Sequence, residues 1–111
     1  MNKDIDLISE LFTQAIKNHQ ENNLHIATQL YKKIIQINPN HIKSNNNLGV
    51  LYQTLGDHQK AEGYFEKAIE IDPNHVNAHY NLGIVYEKLN ENQKAIIFYE
   101  KAIEIDPNYV N

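Results

Sequence analysis

The chain of 111 residues has no cysteine, no tryptophan and no arginine, and only three prolines and four glycines. The missing cysteine excludes disulfides, thiolate nucleophiles and thiolate metal sites together. No apolar run approaches the roughly 18–20 residues that a membrane-spanning helix needs. The first ten residues, MNKDIDLISE, are too acidic and polar to read as a signal peptide. A formal net charge of −4 leaves nothing to neutralise a row of phosphates, so nucleic acid is not an expected partner. The expectation is a soluble, cytoplasmic protein without membrane insertion. Its length suits one small domain or a few copies of a smaller unit.

Asparagine is abundant, with sixteen copies, and all ten basic residues are lysine. Asparagine-rich chains can be prion-like. Here the asparagines are spread between hydrophobic columns. Lysine, asparagine and isoleucine are also the residues of AT-rich codons, so base composition explains the total.

A repeat carries most of the information. Gly49/Gly83, Tyr52/Tyr86, Ala61/Ala95, Ala68/Ala102 and Pro73/Pro107 are each separated by the same 34 positions, as in 83 − 49 = 34. Stepping back another 34 reaches Ala15, Asn18, Ala27, Ile34 and Pro39, an older and weaker copy. Residues 1–7 form a leader and the start of the first helix. Three units follow, at 8–41, 42–75 and 76–109. Val110 and Asn111 repeat Val76 and Asn77, so the sequence reads as one cut at the start of a fourth unit.

Each unit reads as two helices. Ala78, Leu82, Val85, Tyr86 and Leu89 recur at spacings of three and four, one apolar stripe on a helix. Asn90 follows, aligned with Gly56 and Asn22, residue types that tolerate the left-handed conformation ending a helix. A second stripe through Ala95, Phe98, Tyr99, Ala102 and Ile103 stops at Asp106-Pro107, because proline lacks the amide hydrogen and restricts its predecessor. Helices are expected near 6–20, 24–37, 41–54, 58–71, 75–88 and 92–105. Small residues fill two columns, Ala15/Gly49/Gly83 and Ala27/Ala61/Ala95, which lets paired helices approach closely. Tyr31, Phe65 and Tyr99 are then expected to fill the space between a hairpin and its neighbour. A glycine inside a helix costs about 1 kcal/mol against alanine, so its recurrence implies that packing recovers the loss.

These residues resemble the tetratricopeptide repeat, which has a 34-residue period. The match runs through Leu48-Gly49, Tyr52, Ala61, Phe65, Ala68 and Pro73, then Leu82-Gly83, Tyr86, Ala95, Tyr99, Ala102 and Pro107. The family's tryptophan column holds Leu11, Asn45 and His79. The first unit has Gln14, Asn18 and Ile34 where leucine, tyrosine and alanine are usual. The resemblance implies an all-α fold, a right-handed α-solenoid of three helix-turn-helix units. Its first helices would line a concave groove.

By that alignment the first unit contributes Ser9, Phe12, Thr13 and Ile16 to the groove. The second contributes Lys43, Asn46, Asn47, Val50 and Gln53, and the third Asn77, Tyr80, Asn81, Ile84, Glu87 and Lys88. All are expected to be exposed there. A carboxamide offers an acceptor and two donors, so it can bond both sides of a peptide backbone. Asn47 and Asn81 each precede Leu-Gly and resemble the asparagine ladder of O-linked N-acetylglucosamine transferase superhelices. Thr13 interrupts the ladder in the first unit. Two such bonds, each worth about 0.5–1.5 kcal/mol, would give weak, sequence-tolerant binding, with Val50, Tyr80 and Ile84 adding apolar contact. The alternative is that these asparagines are solvated members of an asparagine-rich chain.

Sharper chemistries fit poorly. The family's clamp for chaperone C-terminal tails needs lysine, asparagine, asparagine, lysine and arginine. The corresponding positions hold Phe12, Ile16, Asn47, Asn77 and Asn81, leaving no cation for a terminal carboxylate. His75 and His79 stand at i and i+4, but a metal site needs further ligands. Catalysis has two serines, Ser9 and Ser44, and no glycine-rich phosphate loop. Glu66, Glu70, Glu100 and Glu104 beside Lys67 and Lys101 read as a solvated face. The expected function is non-catalytic binding of an extended polypeptide in the groove, without cofactor or metal. A targeting arm of a larger glycosyltransferase or methyltransferase is the alternative. Homotypic assembly is another, through uncapped repeat ends carrying Val85, Leu89 and Ile103.

Overall fold

A computed structural model describes residues 3–109, within which six α-helices account for all regular structure. They are α1 (Lys3–Gln20), α2 (Leu24–Ile37), α3 (Ile42–Thr54), α4 (His58–Ile71), α5 (Val76–Lys88) and α6 (Asn92–Ile105). Each helix packs on the next, and α3 also touches α5, giving a stack of three hairpins 44 Å along its longest axis. The chain is thus an all-α repeat solenoid. Val110 and Asn111, read above as the start of a fourth unit, lie outside the described residues.

Helix ends follow local chemistry. The first helix already includes Lys3, ahead of the expected position near residue 6, because nothing breaks a helix there and Asp4 and Asp6 suit the positive N-terminal end. His41 and His75, expected inside α3 and α5, are instead N-cap residues with extended backbone. Turns within hairpins use left-handed residues at all three predicted positions: Asn22 (φ 64°), Gly56 (φ 81°) and Asn90 (φ 61°). The next amide then bonds back across the turn, as in Asp57 N–H to the Tyr52 carbonyl at 2.9 Å and Glu91 N–H to that of Tyr86 at 2.8 Å. Between hairpins, Asn38, Asp72 and Asp106 each precede proline in extended conformation. Each side chain accepts the amide two residues on, at 3.1, 3.0 and 3.1 Å, which fixes the bend.

The core runs the length of the stack through Ala15, Ala27, Tyr31, Leu48, Leu51, Tyr52, Ala61, Phe65, Leu82 and Val85. Complete burial of a leucine- or phenylalanine-sized side chain stabilises by about 1.5–3 kcal/mol, so these residues outweigh the surface ion pairs. The first hairpin is packed despite its departures, with Ile34 fully buried and Asn18 bonded to the Gln14 carbonyl at 2.8 Å. Val85, expected on an uncovered end, is fully buried. Leu89 is half-buried, and Ile103 alone of that trio is exposed. Val85 points back into the core between α5 and its neighbours, whereas Ile103 lies on the outer side of α6.

The tryptophan column is buried and polar in two units. Asn45 donates to the carbonyls of Pro39 and His41 at 3.2 and 3.0 Å. His79 Nε2 lies 2.7 Å from the Pro73 carbonyl, and since a carbonyl can only accept, Nε2 carries the proton. Both residues thus tie their helix to the turn that precedes it. His79 Nδ1 and Ser44 Oγ are buried without a partner.

The glycine column explains itself geometrically. A Cβ on Gly49 would fall 2.4 Å from the Phe65 ring, and one on Gly83 would fall 2.5 Å from the Tyr99 ring. Each ring therefore rests on the glycine of its own hairpin rather than only between hairpins. Gly63, in the middle of α4, meets nothing within 4 Å of its missing Cβ. Opposite signs follow. Gly49→Ala is expected to destabilise by about 1–3 kcal/mol through ring displacement, and Gly63→Ala to stabilise by roughly 0.5–1 kcal/mol through helix propensity. Urea unfolding monitored by circular dichroism measures both. Equal effects would refute the ring-on-backbone account.

Candidate functional site

Residues expected from the sequence meet where α3 faces α5. Val50, Gln53, Asn81 and Ile84 line a cavity of about 170 Å³, together with Thr54 and Phe65. Its polar side chains are engaged elsewhere. Gln53 Oε1 lies 3.0 Å from His58 Nδ1, and the Thr54 hydroxyl donates to the Val50 carbonyl at 3.0 Å. The inner wall is left to Val50, Ile84 and the Phe65 ring.

The two ladder asparagines are held loosely. Asn47 Nδ2 donates to the Tyr31 hydroxyl and Asn81 Nδ2 to Asn46 Oδ1, both at 3.4 Å. These distances exceed the usual 2.7–3.2 Å range, so the bonds are weak and exchangeable. Asn46 itself departs from expectation. It is only 8% exposed, because it turns toward α5 to accept from Asn81.

The other expected residues separate into two groups. On α1, Phe12 packs its ring 6.2 Å from Tyr31 and 5.2 Å from His41, and Ile16 is half-buried against the core. Thr13 bonds back to the Ser9 carbonyl at 3.0 Å. On α5, the half-buried Tyr80 sits 5.5 Å from the Tyr99 ring and 5.3 Å from that of Tyr109. The Tyr109 hydroxyl donates to Asn77 Oδ1, and the Tyr99 hydroxyl donates to Glu87 at 2.6 Å. Burial, then the Glu87 carboxylate, holds the Tyr99 phenol well above its ordinary range. Lys43 and Lys88 are exposed and outside the cavity. Tyr31, Thr54, Phe65, Tyr99 and Tyr109 were not among the expected groove residues. The pairing of the Tyr31/Phe65/Tyr99 column with the small-residue column was the available signal, since a ring lying over glycine extends toward the first helices.

Among the described residues, no three histidine, aspartate or glutamate side chains gather as a metal group. His75 caps α5, and His79 is committed to Pro73. No helix among them is long and apolar enough to cross a membrane.

A stack of three helical hairpins defines an all-α repeat solenoid, and comparison makes the class specific. The tetratricopeptide-repeat model matches residues 12–74 and 41–108, so the chain belongs to that family, whose domains are generally protein-interaction modules. No curated protein matches. Among solved structures, a mutant Thermobaculum terrenum O-GlcNAc transferase superposes with a TM-score of 0.92 at 24% identity, over 98% of this chain and 21% of that one. An Arabidopsis OM64 TPR domain gives 0.90 at 20% identity, over 95% and 87%. The first TPR of Spaghetti (RPAP3), bound to an HSP90 peptide, gives 0.88 at 21% identity, over 91% and 80%. The chain thus spans about a fifth of the transferase, and these likenesses establish the fold.

The cap of α3 makes stability pH-dependent. His41 Nδ1 accepts the Ser44 amide at 3.2 Å, which requires that nitrogen to be unprotonated. Burial, then the nearby Lys43 charge, pushes His41 below its ordinary pKa, and burial lowers His19 and His75 likewise. Above pH about 6.5 all three are neutral whether folded or unfolded. As pH falls through 6.5 the unfolded chain takes up protons first, so stability drops and levels off below the folded-state values. Melting temperature is expected to fall between pH 7.5 and 5.5. His41→Asn, which keeps a capping acceptor without titrating, should show a shallower fall, and an identical profile would remove His41 from this account.

Proposed function

We propose that this chain is a non-catalytic module that binds an extended polypeptide segment along α1, α3 and α5. The observation that carries the reading is the cavity shared by Val50, Asn81 and Ile84 beside two loosely bonded asparagines. An incoming backbone offers better-aligned partners than those at 3.4 Å. Asn47 and Asn81 would each exchange a weak internal bond for one to peptide C=O or N–H. An aliphatic side chain suits the cavity, while Tyr80, Asn77 and the flanking Lys43 and Lys88 extend the contact. Phe12, Thr13 and Ile16 are its weakest part, because Phe12 and Ile16 are packed against the core and the exposed Thr13 hydroxyl is bonded back to the Ser9 carbonyl.

Acidic chaperone tails are poor candidates. The likeness to a domain bound to an HSP90 peptide does not supply the missing cations at Phe12, Asn77 and Asn81. Selection from a displayed peptide library tests the proposal directly. Peptides enriched on the wild-type chain are expected to lose roughly fivefold to a hundredfold in affinity with Asn47→Ala/Asn81→Ala. Backbone N-methylation at one peptide position should reproduce part of the loss. Peptides that bind both proteins equally would place recognition elsewhere.

Self-association is a second reading. Apolar side chains stand exposed on both outer helices, Ile5 and Leu7 on α1 and Ile96 and Ile103 on α6. A head-to-tail contact would bury them. Sedimentation at rising concentration should then show mass growth that Ile96→Lys/Ile103→Lys abolishes. A constant monomer mass would exclude this reading.

A further inference from the structure

A second cavity, of about 440 Å³, lies where α2 meets the C-terminal end of α3, and its walls include Leu24, Thr28, Lys32, Tyr52 and Leu55. Tyr52 stands two positions from Val50, about 200° around α3, so this space and the groove cavity serve different faces. Tyr64 stacks on Tyr52, 5.6 Å between centroids and 8° from parallel, which fixes the ring. Two ammonium groups gather on it. Lys32 Nζ is 5.6 Å and Lys60 Nζ 5.3 Å from the Tyr52 centroid. A hydrogen bond to the Tyr52 hydroxyl raises the Lys32 pKa above its ordinary value, so both groups are cations. The ring quadrupole attracts each of them, while the two charges repel one another. No ion pair among the described residues includes Lys32, and Lys60 has only the exposed Asp57 at 4.0 Å.

The next junction shows the same arrangement with its charge answered. One repeat further on, Tyr86 stands for Tyr52, Lys94 for Lys60, Glu62 for Thr28 and Glu66 for Lys32. Lys94 Nζ lies 5.3 Å from the Tyr86 centroid, as Lys60 does from Tyr52. Here carboxylates surround the ring. Glu91 pairs with Lys94 at 3.6 Å. Burial, then a hydrogen bond with Glu62 and the charges of Glu62, Glu66 and Glu91, hold the Tyr86 phenol well above its ordinary range. The cavity beside that junction's turn is of similar size, about 460 Å³, so charge and not room distinguishes the two. At the first junction Thr28 replaces one acid, with its hydroxyl spent on the Leu24 carbonyl at 2.7 Å. Lys32 reverses the sign of the other.

We propose that the cavity at Tyr52 is a docking site for an aspartate or glutamate side chain of a partner protein. Its carboxylate takes charge-assisted hydrogen bonds from Lys32 and Lys60, in the position relative to the ring that Glu62 and Glu66 hold at Tyr86. Leu24 and Leu55, the latter 56% exposed, give apolar footing to the residues on either side of the acid. The site is separate from the groove and does not depend on the asparagines there.

Acetyl-Leu-Glu-Leu-amide titrated into the ¹⁵N-labelled chain is expected to shift the Lys32, Tyr52 and Leu55 amides saturably, and less tightly as salt is raised. Acetyl-Leu-Gln-Leu-amide, of the same shape without the charge, should bind roughly threefold to tenfold more weakly. Lys32→Gln should erase that preference. Lys32→Glu, which copies the residue at position 66, should transfer it to acetyl-Leu-Lys-Leu-amide, and circular dichroism should show unchanged helix content in both variants. Asn47→Ala/Asn81→Ala should bind the glutamate peptide as wild type does, which keeps this test apart from that of the groove. Equal binding of the glutamate and glutamine peptides, an unaltered preference in Lys32→Glu, or shifts confined to Asn47, Val50 and Asn81 would each overturn the proposal. So would inorganic phosphate binding at these amides more tightly than the glutamate peptide.

Discussion

How closely two helices of a hairpin approach controls everything built on them. In the second and third units the limit is set by a ring against a helix backbone, Phe65 on Gly49 and Tyr99 on Gly83, at distances a methyl group could not share. Helix-interior glycine is locally unfavourable. It persists because the ring gains contact with backbone atoms that no larger residue would expose. The same closeness carries the ring edge through to the first helices, so Phe65 reaches the cavity under Asn81 and Ile84. One packing rule thus closes the hairpin and floors the candidate site.

Charge contributes little by comparison. The lysines at 60, 67, 94 and 101 pair with acids three residues away on the outer face, at 3.6–4.0 Å and largely in solvent. Such pairs are worth well under about 1 kcal/mol each. Coupling between units comes instead from buried apolar contact and from side chains that bond across the junctions, among them Asn45 and His79. Asn45 and His79 each grip the carbonyl of the preceding proline. A tryptophan in this column would supply surface. These residues supply a directed bond, which holds a junction angle with less buried area.

The period made the fold readable. Six helices, three left-handed turns and three proline stops follow from residues that recur every 34 positions, since backbone chemistry repeats when residues repeat. What the period could not give is the direction in which side chains of different units turn toward one another. Asn46 and Asn47 look equivalent in sequence, yet one is buried against α5 and the other reaches Tyr31. Val85 sits among residues expected at an open end and proves to be interior. Tyr109 joins Tyr80 through a contact across almost a full repeat. These outcomes depend on the superposition of neighbouring hairpins, a quantity no single helix encodes.

Repetition also supplies an internal control. Where three units agree, as at the alanines of the Ala27/Ala61/Ala95 column, the shared stack explains the residue. Where one unit departs at some cost and nothing in the stack recovers it, packing has no claim on the choice. Gly63 is such a case, with an isoleucine and a glutamine at its equivalents and open space at its own position. It borders the same cavity as Asn45, a second departure from the repeat.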